Sequence, residues 1–459
     1  MEFGVPCIDP NGVRVSCSKH RLSQTCKINP FTGGSEIHKK EIKPYIMIFE
    51  KLERIGGNRV VIALSAARLG DAIGNSILFI VLPLFVAKLP APAFPIPETV
   101  RVGLLIALFG LVNAMLQPFA GAFIDRVGRR KPFILAGLTM LGIATIGYIF
   151  ASRFSDLLFL RIFQGVGVAM TIPAALALMV GSSIKETRGG SMGIYTTSRM
   201  VGLGIGPLLG GALYDRYGFN AAFYAGSAFI ITAIILVQLW VKEKPAQPSG
   251  TKPVRFQIID TKLLTAGILG VSFATLVMAG SFSMMAVLED QFNARLNMSA
   301  FVFSLAFSAL LLSRVFTQVP LGRLSDRIGR KPLIIGGLLV LAPATALLGY
   351  ATSASQLIVL RLIQGLASGG VAAPAFAIAA DMAQTGGEGR QMSFITMGFG
   401  LGVALGPLLA GILAVYSFTL PFIIGGLICL PGAWVIHHYV PETVNIAEQR
   451  QQVHSPTDD

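Results

Sequence analysis

The stretch Gly121-Ala122-Phe123-Ile124-Asp125-Arg126-Val127-Gly128-Arg129-Arg130-Lys131 is written a second time as Gly322-Arg323-Leu324-Ser325-Asp326-Arg327-Ile328-Gly329-Arg330-Lys331. Each copy closes one apolar run and opens the next, so each is a charged turn between two helices. Gly121 and Asp125 are four apart and share a helix face. The glycine lets a neighbouring helix approach, the acid can receive a helix N-terminus or an arginine, and Gly128 permits a tight turn. Working outward, other residues recur at the same separation: Arg161 and Arg361, Gln164 and Gln364, Gly206 and Gly406, Pro207 and Pro407, and Gly211 and Gly411 are all 200 apart. Asp125 and Asp326, like Gly128 and Gly329, are 201 apart, which one inserted residue explains. Self-similarity at half the chain length means two copies of one unit.

The unit is a membrane unit. Of 459 residues, 53% are apolar and 13% charged, against about 25% charged in a soluble protein, and the mean hydropathy is +0.68. Sixteen of the charges fall in residues 1–59 and five in 441–459, leaving 39 for the 381 residues between. That distribution excludes a soluble enzyme with one aqueous core, a nucleic-acid binder despite the net charge of +14, and a single-pass receptor. Cys7, Cys17, Cys26 and Cys429 form no C-x-x-C pair, and His20, His38, His437, His438 and His454 lie in tails or at the edge of the last apolar run. Neither a metal site nor an intramembrane imidazole relay is expected. With no G-x-x-x-x-G-K-[ST] string, ATP hydrolysis at a phosphate loop is not expected either.

Twelve apolar runs are long enough to cross about 30 Å of hydrocarbon as helices: 60–87, 102–124, 132–152, 155–180, 191–214, 219–241, 263–288, 299–321, 332–352, 355–380, 392–415 and 417–440. Sixteen Lys and Arg lie in the loops on the side of Arg126–Lys131, against five on the other, and the excess makes that side cytoplasmic, with both termini there. Trp240 and Trp434 close the two six-helix sets at the same interface, where indoles prefer to sit. The expected organisation is an amino-terminal tail over 1–58, a six-helix bundle over 59–241, a polar, Pro-broken linker over 242–262, a second bundle over 263–440 and a tail over 441–459. Residues 1–46 lack the apolar core of a signal peptide, and Met47 is an alternative start.

The repeated D-R-x-G-R string resembles the signature that follows the second helix of major facilitator superfamily transporters. Leu157-x-x-x-Arg161-x-x-Gln164-Gly165 in the fourth run is similar to that family's helix 4 signature, and Leu357-x-x-x-Arg361-x-x-Gln364-Gly365 repeats it. The resemblance spans residues 60–440 and is strongest to the twelve-helix drug/proton antiporters. It implies an all-α fold of two pseudo-symmetric six-helix bundles around a midplane cavity lined by helices 1, 4, 7 and 10. It also implies that Asp125, with Arg126, Gly128, Arg129 and Arg130, gates the cytoplasmic side. Asp326, Arg327, Gly329 and Arg330 are the matching positions of the second half.

In the fifth run, Gly202, Gly206 and Gly210 form a side-chain-free stripe, followed by Gly211, and Pro207 removes a backbone hydrogen bond beside it, so the helix packs closely and can bend. Gly402, Gly406, Pro407 and Gly411 nearly repeat it, with Ala410. The string resembles the motif of the superfamily's proton-driven exporters.

Asp71, in the first run, is the one carboxylate placed well inside a span, and an intramembrane acid is a functional residue by default. Burial and a nearby arginine act on its proton affinity in opposite senses, so it could load and release a proton as exposure changes. Two arginines compete for it: Arg68, three residues away on the same face, and Arg161, the partner implied by resemblance to exporters that couple protons through this pair. Arg161 is the expected charge partner. Arg199 and Arg314 sit roughly 10–12 Å from the cytoplasmic ends of their helices, within reach of snorkelling. With Arg68, Arg161 and Arg361 they outnumber Asp71 five to one, which suits an anionic substrate if several face the cavity. Gly189-Gly190-Ser191-Met192-Gly193 satisfies G-x-S-x-G, but it lacks a preceding strand and a base, so Ser191 reads as a helix-start residue.

The expectation is therefore a transporter and not an enzyme, exporting small, lipophilic organic molecules in exchange for protons. The alternative is uptake or exchange of a sugar, organic anion or other metabolite. Expected partners are the substrate, protons and the bilayer of a cell membrane, with no nucleic acid, metal or cofactor, and the protein is expected to act as a monomer. From another class, a receptor that kept the fold and lost turnover would use the Cys-containing head as its effector.

Overall fold

The computed structural model describes residues 7–8, 14–15, 58–90, 96–182, 188–243, 265–382 and 388–444. Two short strands, β1 (Cys7–Ile8) and β2 (Arg14–Val15), pair antiparallel and belong to a unit separate from the rest of the chain. Most of the amino-terminal tail, the linker beyond Glu243 and the tail beyond Val444 lie outside the described residues.

The first half consists of α1 (Arg59–Lys88), α2 (Glu98–Val127), α3 (Lys131–Gly147), α4 (Phe154–Ser182), α5 (Arg188–Tyr217) and α6 (Phe219–Trp240). In the second half, α7 (Ala266–Ser283) passes through a 3-10 segment, Met284–Leu288, into α8 (Glu289–Leu296). Then come α9 (Ala300–Ile328), α10 (Arg330–Leu348), α11 (Ala354–Asp381), α12 (Glu388–Leu413), and the short pair α13 (Leu420–Leu427) and α14 (Cys429–Tyr439). Polar side chains start several of these helices: Asn58 accepts from the Val61 amide at 2.9 Å, and Ser353 from the Gln356 amide at 3.3 Å.

Among the described residues, eleven stretches are long and apolar enough to cross a membrane. The expected fifth span, 191–214, falls in α5, whose 30 residues give it the length. Its glycines and its Arg199 lower its hydropathy, and it spends two faces on α1 and α9 rather than on lipid. The seventh span does not stop at 288. It runs to Leu296 and draws Glu289 inside the protein, so Asp71 is not the one interior carboxylate. The hydroxyls of Ser281 and Ser283 take the carbonyls of Val277 and Gly280, at 2.9 and 3.0 Å, just before the helix tightens. The twelfth span is broken at Ile428, because Pro431 has no amide hydrogen and its ring crowds the carbonyl of Leu427.

The two halves pack alike. α1 lies against α5 and α6, α4 against α2 and α3, and α3 against α6. Likewise α7 lies against α12 and α14, α11 against α9 and α10, and α10 against α13 and α14. The halves meet along two seams that the repeat interchanges, α5 with α9 and α2 with α12. Both seams are tight only at the end away from the Arg126–Lys131 loop. A Cβ on Gly103 would stand 2.6 Å from the Pro407 carbonyl, and one on Gly211 2.7 Å from the Ala300 carbonyl. Thr99 donates to the Gly411 carbonyl at 2.8 Å. Toward the loop end the same helices are bare: Met115, Phe119 and Phe123 of α2, and Phe316 and Val319 of α9, are more than half exposed. The apolar core repeats this division. One cluster runs from the far halves of α1 and α2 through the whole second half of the chain, and a second is confined to the loop-end half of the first bundle.

Candidate functional site

Asp71 lies mid-way along α1, 3% exposed. Arg68, one turn earlier, donates Nη1 to Asp71 Oδ2 in a buried pair, while Asp71 Oδ1 and Arg68 Nε have no hydrogen-bond partner. The Tyr195 ring of α5 lies 5.9 Å from the Arg68 guanidinium, and its hydroxyl is buried without a partner. A void of ≈ 10 Å³ opens beside the pair, lined by Thr171, Ala175 and Tyr195 among others, which is room for about one water.

The expected pairing of Asp71 with Arg161 is not what this conformation holds. Arg68 is closer for a helical reason: a residue three positions away on the same face is a neighbour whatever the helices do. Arg161 is engaged elsewhere. Its Nη1 donates to Gln164 Oε1 at 3.2 Å, Tyr148 donates to the same oxygen at 2.9 Å, Gln164 Nε2 donates to Thr145 at 3.2 Å, and Phe109 lies 5.4 Å from the guanidinium. The second half rebuilds this network. Arg361 donates to Gln364 at 2.9 Å and to the Phe282 carbonyl at 2.8 Å, and Gln364 donates to Thr345 at 2.8 Å. Thr145 and Thr345, 200 apart like the arginines, escaped the sequence reading, although the same offset marks them. Gly165 and Gly365 face α2 and α9, where a Cβ would crowd Val112 and Ser313.

The five arginines do not snorkel as a group. Arg68, Arg161, Arg314 and Arg361 are 7%, 2%, 4% and 0% exposed, and Arg199 is half-buried. Of these, Arg68 is the one in an ion pair among the described residues. Arg314 stands 5.0 Å from the Phe399 ring and 6.0 Å from Phe282, with Nε and Nη1 unpartnered.

At the loop end, Gly128 and Gly329 take positive φ, 70° and 102°, where α2 and α9 stop. The next helix N-termini are held by carboxylates from beyond each sixth span. Glu243 accepts from the Arg130 and Lys131 amides at 2.6 and 2.9 Å, and Glu442 from the Arg330 and Lys331 amides at 3.0 Å each. Neither glutamate stood out in the sequence. Partial burial acts to raise the Glu442 carboxyl, but amides of Arg330, Val444, Lys331 and Thr443 outweigh it and hold it below the usual glutamate range. Arg330 pairs with Asp381 of α11 and with Asp326 at 3.4 Å, so in the second half the gate residues bind their own bundle. Arg126, Arg129 and Arg327 are exposed, and the Asp125 side chain lies outside the described residues.

The glycine stripe of α5 packs on α1. Cβ atoms on Gly202, Gly206 and Gly210 would stand 2.7, 2.6 and 3.1 Å from the carbonyls of Leu69, Ile73 and Ile77. Gly211 faces α9 of the other bundle, and Gly406 packs on Gly280 of α7 as Gly206 packs on Ile73. Ser191 is buried within α5, which already runs from Arg188, so it occupies no strand-turn-helix elbow.

Two pseudo-symmetric bundles of membrane-spanning helices, joined at one end and parted at the other around buried charges, define a two-bundle membrane carrier. The chain belongs to the Major Facilitator Superfamily, whose model matches residues 64–293 and 268–457. It is a multi-pass membrane transporter and not an enzyme. It is 28% identical over 343 residues to the uncharacterised MFS-type transporter YuxJ of Bacillus subtilis, covering 73% of this chain and 86% of that one. It is 27% identical over 341 residues to the multi-drug resistance efflux pump PmrA of Streptococcus pneumoniae, covering 73% and 84%. Among solved structures, a bacterial homologue of the human lysosomal transporter Spinster superposes with a TM-score of 0.70 at 16% identity, over 82% of this chain and 95% of that one.

Proposed function

We propose that this transporter exports small lipophilic organic molecules in exchange for protons, with Asp71 as the proton carrier. The observation that carries the reading is an interior acid with half its hydrogen-bonding capacity unused. One oxygen of Asp71 is held by Arg68, the other has no partner, and space for about one water lies beside it. The glycine stripe of α5 packs on the stretch of α1 that carries this acid, so a bend at Pro207 would move the helix whose Tyr195 lies beside the pair. The name of the efflux relative agrees with export. The basic-residue asymmetry makes the Arg126–Lys131 end cytoplasmic, with both termini on that side, and the open end of the bundles then faces the cytoplasm. The protein acts as a monomer in a cell membrane.

The test is purified protein in vesicles with a trapped pH dye, challenged with lipophilic organic compounds. Wild type is expected to move protons when a substrate is added, and Asp71→Asn to move none. Arg68→Gln and Arg161→Gln in the same assay identify which arginine the proton cycle needs. Equal substrate movement by wild type and Asp71→Asn, with no pH signal, would reduce Asp71 to a packing role and leave a facilitator.

A further inference from the structure

The two seams between the bundles are interchanged by the internal repeat but differ in charge. On the α5–α9 seam, Arg199 comes from the first bundle and Arg314 from the second. At the 200- and 201-residue offsets of the repeat, the α2–α12 seam carries Phe399 and Asn113 instead. The fold therefore does not require a basic pair there. Arg199 lies five residues before Gly204, whose Cβ position would stand 3.0 Å from the Leu312 side chain, and Arg314 lies two residues beyond Leu312. Both arginines thus sit where the seam stops being tight and the bundles part. Arg199 is half-buried on α5 and Arg314 buried on α9, the two helices of this seam. Asp71 is paired with Arg68, and neither Arg199 nor Arg314 is in an ion pair among the described residues. Arg314, 4% exposed, keeps Nε and Nη1 unpartnered, and the Phe399 and Phe282 rings flank it.

A buried guanidinium with free donors, walled by aromatic rings and with a second cation on the helix packed across the seam, is complementary to an anionic head on an apolar body. We infer that Arg199 and Arg314 bind the carboxylate, or an equivalent anionic group, of an amphiphilic organic substrate, whose apolar part lies against Phe282 and Phe399. This names the substrate class of the exporter proposed above and rests on that reading for the direction of transport. An anion here also removes the repulsion between the bundles, so its binding favours their approach at the open end.

The test measures binding of 1-naphthoate, its neutral isostere 1-naphthamide and the cation ethidium to the purified full chain, together with their proton signals in vesicles. Wild type is expected to prefer naphthoate over naphthamide by about tenfold or more, the difference one charge-assisted pair supplies. Arg314→Gln and Arg199→Gln are expected to erase that preference, Arg314→Lys to keep part of it, and Arg216→Gln, at the far end of α5, to leave it intact. Equal binding of naphthoate and naphthamide to wild type overturns the inference without any variant having to fold. If ethidium moves protons and naphthoate neither binds nor moves, the anion site is lost and the exporter stands. If naphthoate binds through Arg314 but no compound moves protons, the site stands and proton exchange is lost.

Discussion

Arg68 and Asp71 hold each other inside a bundle where the space beside them takes about one water. Removing one partner of such a pair leaves an uncompensated buried charge, a loss of about 3–5 kcal/mol, whereas removing both restores neutrality. Arg68→Gln is therefore expected to lower the thermal midpoint in detergent, and Arg68→Gln with Asp71→Asn to recover much of it. Additive losses in the two single variants would count against the pair. Glu442 permits a pH prediction outside the membrane. Its folded-state carboxyl is held below the ordinary glutamate value, so its contribution is present above that value and is lost as pH falls through the lower folded one. Glu442→Gln is expected to cost about 1 kcal/mol at neutral pH, the scale of a helix cap, and to cost progressively less as the medium is acidified below pH ~4.5. Melts of both proteins across that window check it. Glu289 is the residue a linear reading misses, because a run of apolar residues ends by rule at a charge. The helix nevertheless continues to Leu296, and neither Glu289 oxygen finds a partner.

Among elements, α5 is the one whose composition and position disagree most. Its glycines weaken it as an isolated membrane span, yet they let it lie against α1 at backbone distance and against α9 of the other bundle. The same residue type is expected to behave in opposite ways at two places. Gly206→Ala pushes a methyl against the Ile73 carbonyl, where overpacking costs about 1–3 kcal/mol. Gly400→Ala meets nothing within 4 Å and gains up to about 1 kcal/mol of helix propensity. Thermal midpoints that move in opposite directions bear this out, and a Gly206→Ala protein as stable as wild type would mean the crossing is looser than described. The Arg-x-x-Gln motifs of α4 and α11 were legible as motifs. Their use, bracing each helix to Thr145 or Thr345 of α3 or α10, was not, since a threonine in an apolar run carries no mark until the repeat offset is applied to it.

At the scale of the whole molecule, the bundles are joined at the Thr99–Gly411 end and separated at the Val127 and Ile328 end. Spin labels on those two exposed residues are expected to approach each other when a transported compound is added, while labels kept within one bundle keep their spacing. An unchanged inter-bundle distribution would argue against rocking. The chain by itself determined the class of fold, eleven of the twelve expected spans and the two-fold repeat. Run length, loop charge and residue offsets are properties of a line, and the membrane permits few structures that satisfy a backbone. What the tertiary structure alone decided is which side chains meet: Asp71 with Arg68, Glu442 with a helix start, and Arg314 with the Phe282 and Phe399 rings. Those meetings depend on how far each helix is rotated and how closely glycines let it cross its neighbour, and neither quantity is written in the order of residues along a single helix.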